Sequence, residues 1–319
     1  MNNWIAIIAG EPNSINSEII VKTWKKKKKF KNIFIIGSYS IFKKQIIKLG
    51  IEIPLVKIVK LEDLKNEDKL YILNVNLKFK SIFKVNSSDV RAYIFKCFNL
   101  AHNLAISKKI FGFINAPINK RIFNNKYLGV TEYLSEKNKT TNKEVMLIHN
   151  DNLSVVPLTT HIDVKNITKK ITLNLINTKV ITLNNFYFKL FKKKPRIAVL
   201  GLNPHNSENK IYSVENKIIK PAINKLKKLK VNINGPFPAD TAFRKQNIIN
   251  YDVIVGMYHD QVLGPHKALY GYDAINLTLG LKYLRLSPDH GTAKDIVGMN
   301  KANPQSLICA INFLNKIND

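Results

Sequence analysis

Short apolar runs at Trp4–Ala9, Ile33–Ile36, Ile110–Ile114, Val155–Leu158, Ile197–Leu202 and Val253–Met257 alternate with longer stretches of mixed polarity. Continuous runs of this length mark strands buried on both faces, and the stretches between them are long enough for crossover helices. The alternation predicts an α/β protein built on a parallel sheet. Pro117 and Pro157 are expected at strand exits, and Gly235-Pro-Phe-Pro238 reads as a rigid turn ahead of Ala239-Asp-Thr241. Residues 57–88 are polar and charged without a clear period and read as an excursion at a lobe edge. A chain of 319 residues exceeds the usual limit of one hydrophobic core, so two lobes sharing a cleft are expected.

Composition narrows the class. Hydrophobic residues at 45% and aromatics at 9% fit a soluble globular protein, and no apolar stretch has the length of a membrane span. The opening Met-Asn-Asn-Trp-Ile-Ala lacks a basic segment and cleavage site, so cytoplasmic residence is expected. Cys97 and Cys309 are too few for a disulfide framework and read as packing residues. A formal net charge of +29 raises the question of nucleic acid. Apart from Lys25–Lys29, however, the lysines are dispersed, and no RNA-binding or zinc-finger signature occurs. No specific nucleic-acid partner is expected, and Lys25–Lys29 reads as a solvated helix end.

Three histidines end or follow apolar runs: His161 in Thr-Thr-His-Ile, His205 in Gly-Leu-Asn-Pro-His and His259 in Tyr-His-Asp-Gln. Loops beyond strand ends are where open α/β sheets bind ligands. Three imidazoles suit a catalytic divalent ion, although each taken singly also reads as a hydrogen-bonded structural histidine. Asp240 and Asp260 are carboxylates placed to orient an imidazole or accept a proton, or else to cap helices. Asp289-His-Gly-Thr-Ala293 reads as a loop entering a helix, a place for a phosphate or simply a cap. Lys267, Asn276 and Arg285 follow the His259 strand. They read either as a clamp for a phosphorylated substrate or as surface residues. Neither familiar glycine-rich nucleotide loop is present.

Asn115-Ala-Pro-Ile-Asn-Lys120, Thr159-Thr-His-Ile162, Gly201-Leu-Asn-Pro-His205, Gly235-Pro-Phe-Pro-Ala-Asp-Thr241, Tyr258-His-Asp-Gln261 and Asn276-Leu-Thr-Leu-Gly280 through Asp289-His-Gly-Thr-Ala293 occur in that order. Together they resemble the 4-hydroxythreonine-4-phosphate dehydrogenases of pyridoxal phosphate synthesis. The resemblance implies a homodimer of two-lobed, three-layer α/β/α subunits, similar in fold to isocitrate and isopropylmalate dehydrogenases. One lobe is expected over 1–126 and 298–319 and the other over 127–297, with the active site in the interlobe cleft at the dimer interface. It implies one divalent ion (zinc, magnesium or cobalt) on His161, His205 and His259, the last from the neighbouring subunit. Thr131, Lys267, Asn276 and Arg285 would contact a small phosphorylated substrate. The implied reaction is NAD- or NADP-dependent oxidation of 4-phosphooxy-L-threonine at C3, then decarboxylation to 3-amino-2-oxopropyl phosphate. Asp240 or Asp260 is the expected proton-accepting or ligand-orienting group.

Two departures stand out. Where the family pattern is Gly-His-Thr-Glu, this chain has Gly129-Val-Thr-Glu132, so Val130 replaces an imidazole expected at the substrate. The glycine-rich stretch usual near the N-terminus is Gly10-Glu-Pro-Asn-Ser-Ile-Asn-Ser-Glu18, with Ser14 and Asn16 at expected glycines. Strain is expected there if the backbone needs positive φ. Two alternatives follow: a dehydrogenase of a 4-phospho-threonate or erythronate, or a weakened or non-catalytic relic of the family.

Overall fold

The computed structural model describes residues 4–26, 32–124, 126–271 and 273–318. In chain order the elements are β1 (Ile5–Ile8), α1 (Asn16–Lys26), β2 (Ile33–Gly37), α2 (Tyr39–Lys48), β3 (Leu55–Ile58), β4 (Leu70–Asn74), α3 (Ser87–Ile106) and β5 (Gly112–Asn115). Next come α4 (Val130–Asn138), β6 (Val145–His149), β7 (Ser154–Thr159), α5 (Ile167–Lys170), α6 (Leu173–Phe191), β8 (Ile197–Leu200), α7 (Lys220–Lys228) and β9 (Ile233–Phe237). The rest are α8 (Ala239–Ala242), α9 (Lys245–Ile248), β10 (Val253–Tyr258), α10 (His259–Tyr270), β11 (Ile275–Leu279), β12 (Leu284–Pro288) and α11 (Gln305–Asn318).

The chain divides into two units, one comprising 1–126 and 282–319 and the other 127–281. The second crossing lies at Lys282, where the sequence placed it at 298, because β12 is hydrogen-bonded to β5 with Leu284 opposite Gly112. A Cβ on Gly112 would stand 2.7 Å from the Leu284 carbonyl oxygen, so this pairing needs a glycine.

Unit 1 is a parallel sheet in the order β3-β4-β2-β1-β5-β12. β1 and β2 are buried along their whole length, which explains their unbroken apolar runs. The polar stretch at 57–88 supplies part of edge strand β3, which is half exposed, and all of β4. Cys97 on α3 is fully buried beside Tyr93, and burial pushes its thiol pKa up to about 12. Lys25 and Lys26 end α1 in solvent, while Lys27–Lys29 lie outside the described residues.

The strain expected at Ser14 and Asn16 does not arise. Neither has positive φ; Gly10 carries it, at 72°. Asn16 instead uses its side chain, its Nδ2 donating to the carbonyls of Ala9 at 3.0 Å and Pro117 at 2.8 Å. A Cβ on Gly10 would lie 2.6 Å from that nitrogen.

Unit 2 is a mixed sheet in the order β11-β6-β7-β10-β8-β9, antiparallel at β11–β6 and β6–β7 and parallel beyond. Its core packs Ile148, Val155, Leu200, Ile254 and Val262. Pro157 lies inside β7 opposite Gly256, and not at a strand exit. The partners of β7 in β6 are Ile148 and His149, opposite Val155 and Ser154, so that pairing ends before the proline that could not donate to it. No helix among the described residues is long and apolar enough to cross a membrane.

Candidate functional site

In unit 2, strands β7 and β10 are parallel neighbours, with Tyr258 in register with Thr159. His259 directly follows β10, and His161 is the second residue after β7. The rings of His161 and His259 therefore come together, with centroids 5.7 Å apart and planes tilted 38°. The resemblance expects His259 from a neighbouring subunit; here the pair forms within one unit of one chain. His161 is exposed and has a φ of 50°, while His259 is half-buried as the first residue of α10. Asp260 Oδ1 is 2.6 Å from His259 Nδ1. With the carboxylate as acceptor, the proton sits on Nδ1 and the Nε2 lone pair is left for a ligand.

The start of α4 adjoins this pair. A Cβ on Gly129 would lie 4.0 Å from His161 Cε1 and 3.3 Å from Glu132 Oε2. Val130, the first residue of the helix, is half-buried and offers no donor. Thr131 Oγ1 lies 3.3 Å from Thr278 Oγ1 on β11, and Asn276 shares the Thr278 face of that strand. Asn276 Oδ1 is buried with no hydrogen-bond partner among the described residues. Glu132, absent from the sequence expectation, has one buried oxygen without a partner, and its other oxygen receives Thr160 Oγ1 at 3.5 Å.

His205 lies on a different device. Residues His205–Asn209 all have φ between 49° and 60°, a left-handed turn without a glycine. Non-glycine residues in this region cost about 1–2 kcal/mol each, so the turn needs outside support. Glu215, fully buried, supplies it. Its Oε1 accepts from the N–H groups of Leu202 at 2.9 Å and Asn203 at 2.8 Å, and its Oε2 accepts from Ser207 Oγ at 3.0 Å. Burial opposes the charge, but these donors outweigh it and hold the carboxyl below its ordinary range. Gly201 leaves the space that the Asn206 side chain fills, since a Cβ there would overlap Asn206 Oδ1. Asn206 Nδ2 in turn donates to the Pro236 carbonyl at 2.9 Å.

Neutral imidazoles are fitting donors for a divalent transition ion. The chain pairs two of the three, but among the described residues no group of three or more His, Cys, Asp or Glu side chains closes into a ligand set.

The capping alternative fails for both aspartates, since α8 is capped by Pro238 and α10 by Tyr258. Both carboxylates are exposed within first turns. Lys267 is an exposed residue of α10. Arg285 belongs to unit 1, where it is buried on β12 and its Nε donates to Asn115 Oδ1 at 2.6 Å. Asp289–Ala293 does not enter a helix of any length; only a three-residue turn at Lys294–Ile296 follows, capped by Ala293. Unit 1 also holds a cavity of about 340 Å³ lined by Glu11, Arg91, Arg121 and Lys294, with enough positive charge to take an anionic ligand. Its residues come from four separate segments, which no local pattern in the sequence links.

An α/β protein of two units, with paired imidazoles on adjoining strand ends, belongs to the class that binds small ligands at its strand termini. The family is more specific: the chain belongs to that of the pyridoxal phosphate biosynthetic protein PdxA, whose profile matches residues 29–314. A 4-hydroxythreonine-4-phosphate dehydrogenase from Sulfurihydrogenibium sp. is 35% identical over 96% of this chain and 96% of its own length. A D-threonate 4-phosphate dehydrogenase from Pectobacterium atrosepticum is 31% identical over 98% of each. The crystal structure of a 4-hydroxythreonine-4-phosphate dehydrogenase from Klebsiella pneumoniae superposes with a TM-score of 0.86 at 28% identity, covering 99% of this chain and 100% of that one. The fold is shared with isocitrate dehydrogenase.

Proposed function

We propose that the chain oxidises the C3 hydroxyl of 4-phosphooxy-L-threonine, with hydride passing to NAD or NADP, and that the resulting β-keto acid loses carbon dioxide to give 3-amino-2-oxopropyl phosphate. His161, His205 and His259 would hold one divalent ion (zinc, magnesium or cobalt). When bound, such an ion supplies Lewis-acid polarisation of substrate oxygens. Asp260 keeps the proton on His259 Nδ1 and its Nε2 available. Asp240 is the proton acceptor for the hydroxyl, since Asp260 is engaged with His259. Asn276 Oδ1, a buried acceptor without a partner, suits a donor on the substrate such as its ammonium group. Thr131, Lys267 and Arg285 serve the phosphate and carboxylate, arginine by forked hydrogen bonds and lysine as a compact charge. The enzyme works as a cytoplasmic homodimer with shared active sites.

The observation that carries this reading is the His161–His259 pair on adjoining strand ends, within a chain related end to end to dehydrogenases of that name. The test is NADH or NADPH formation from the phosphorylated threonine with zinc, magnesium or cobalt added. Absence of turnover with every ion and either cofactor would defeat it. Val130, which removes an imidazole expected at the substrate, and kinship to a D-threonate 4-phosphate dehydrogenase together favour a second reading, in which the substrate is a phosphorylated threonate. Turnover of the threonate and none of the amino acid would establish that one instead.

A further inference from the structure

Three strand ends carry the three histidines, and side-chain hydrogen bonds lace those ends together. Thr159 Oγ1 donates to the Met257 carbonyl at 2.7 Å, joining the segments before His161 and His259. Gln261 spans the next gap. Its Oε1 accepts from the Met257 N–H at 2.7 Å and its Nε2 donates to the Gly201 carbonyl at 2.7 Å. The stem of the His205 turn is thereby tied to β10, but the turn beyond Gly201 is not.

Asn206 ties the turn to Pro236, and Glu215, which lies after the turn and ahead of α7, grips the turn itself. The carboxylate grips the turn on both sides of His205, at Leu202 and Asn203 before it and Ser207 after it. Asn203 Nδ2 adds contacts of 3.1 and 3.2 Å to its two oxygens. An ionised carboxylate offers about four lone-pair sites, so these donors come close to saturating it. We propose that Glu215 is a positioning residue, holding the left-handed His205 turn in the one arrangement that presents His205 to the same ligand as His161 and His259. The proposal rests on the reading in which His205 binds a divalent ion. It predicts that Glu215 sets the affinity for that ion through His205 and through no other group.

The test uses the full chain stripped with a chelator and titrated with Co(II), read by its visible absorption, with circular dichroism to confirm folding. His205→Ala should weaken Co(II) binding by about 10- to 100-fold, and Glu215→Ala should fall in the same range. The double variant should bind no more weakly than His205→Ala alone, because the two changes act on one interaction. Glu215→Gln should stay close to the parent, since its amide oxygen still accepts from Leu202 and Asn203. Ser207→Ala, which removes one contact from a half-exposed position, replaces Glu215→Ala should the latter fail to fold. Its smaller loss should likewise vanish in the His205→Ala background. Equal losses with and without His205, or no loss in Glu215→Ala or its substitute, would overturn the proposal. If His205→Ala itself binds Co(II) like the parent, the assignment of His205 as a ligand falls first and the proposal with it.

Discussion

The rings of His161 and His259 lie 5.7 Å apart, centroid to centroid, because β7 and β10 are parallel neighbours that end at the same level. Proximity set by sheet register does not depend on either imidazole. Replacing His161 or His259 with alanine should therefore abolish ion-dependent turnover while shifting stability by no more than about 0.5 kcal/mol, the usual range for accessible side chains. Steady-state kinetics beside thermal melting would check this. A large drop in melting temperature would mean that the pair is structural.

Asp260 offers a finer probe. Its side chain is exposed and lies 2.6 Å from His259 Nδ1. Asp260→Ala should leave melting unchanged and cost about 10- to 100-fold in ion affinity or activity, as the imidazole loses the acceptor that fixes its tautomer.

Val130 stands where a donor to the substrate is expected. Val130→His should restore a hydrogen bond to a charged group, about 1.5–3 kcal/mol, and lower KM for the phosphorylated threonine roughly 10- to 100-fold. If KM for D-threonate 4-phosphate rises in the same variant, valine is a specificity determinant and not a loss.

Glu208, at φ 51°, sits in the left-handed turn with an exposed side chain 3.9 Å from the Lys210 ammonium. Glu208→Gly should relieve about 1 kcal/mol of backbone strain, offset in part by the freer unfolded chain. A small rise in melting temperature is expected. Ser207→Gly should gain less, because it gives up the contact with Glu215.

Two carboxylates of unit 2, buried Glu215 and partly buried Asp252, make its stability sensitive to acid. For Glu215 and Asp252, burial opposes ionisation, but hydrogen bonds win: from Asn203 and Ser207 on Glu215, and from Arg196 and Lys193 on Asp252. Both folded-state pKa values are thus depressed. The stability they contribute is present above the unfolded carboxylate pKa, about 4, and is lost as pH falls through the folded values. Melting temperature should decline below about pH 4, and Asp252→Asn should flatten that limb while costing about 1–3 kcal/mol at neutral pH through donors left unpaired.

The strands that could be read from the sequence are those buried on both faces. β1, β2, β5, β7, β8 and β10 are apolar runs because neighbours cover both of their surfaces. β11 and β12 hide behind alternation, placing Asn276, Thr278, Arg285 and Ser287 at every second position. β9 passes through Gly235-Pro236, which reads as a turn but forms an edge strand. Of the candidate site, the histidines were visible because each follows a strand. Glu215 and Gln261 were not, since a buried carboxylate and a bridging amide become meaningful only when distant segments meet. Arg285 follows Lys267 and Asn276 closely in sequence, but the chain passes from unit 2 to unit 1 between Asn276 and Arg285.

The sealed thiol on α3 has a practical consequence. Buried, with its pKa pushed up to about 12, Cys97 stays unreactive at neutral pH, whereas Cys309 is half-exposed on α11. A maleimide dye should find a single address in the native protein, so ligand-induced motion of unit 1 can be followed by fluorescence without removing either cysteine.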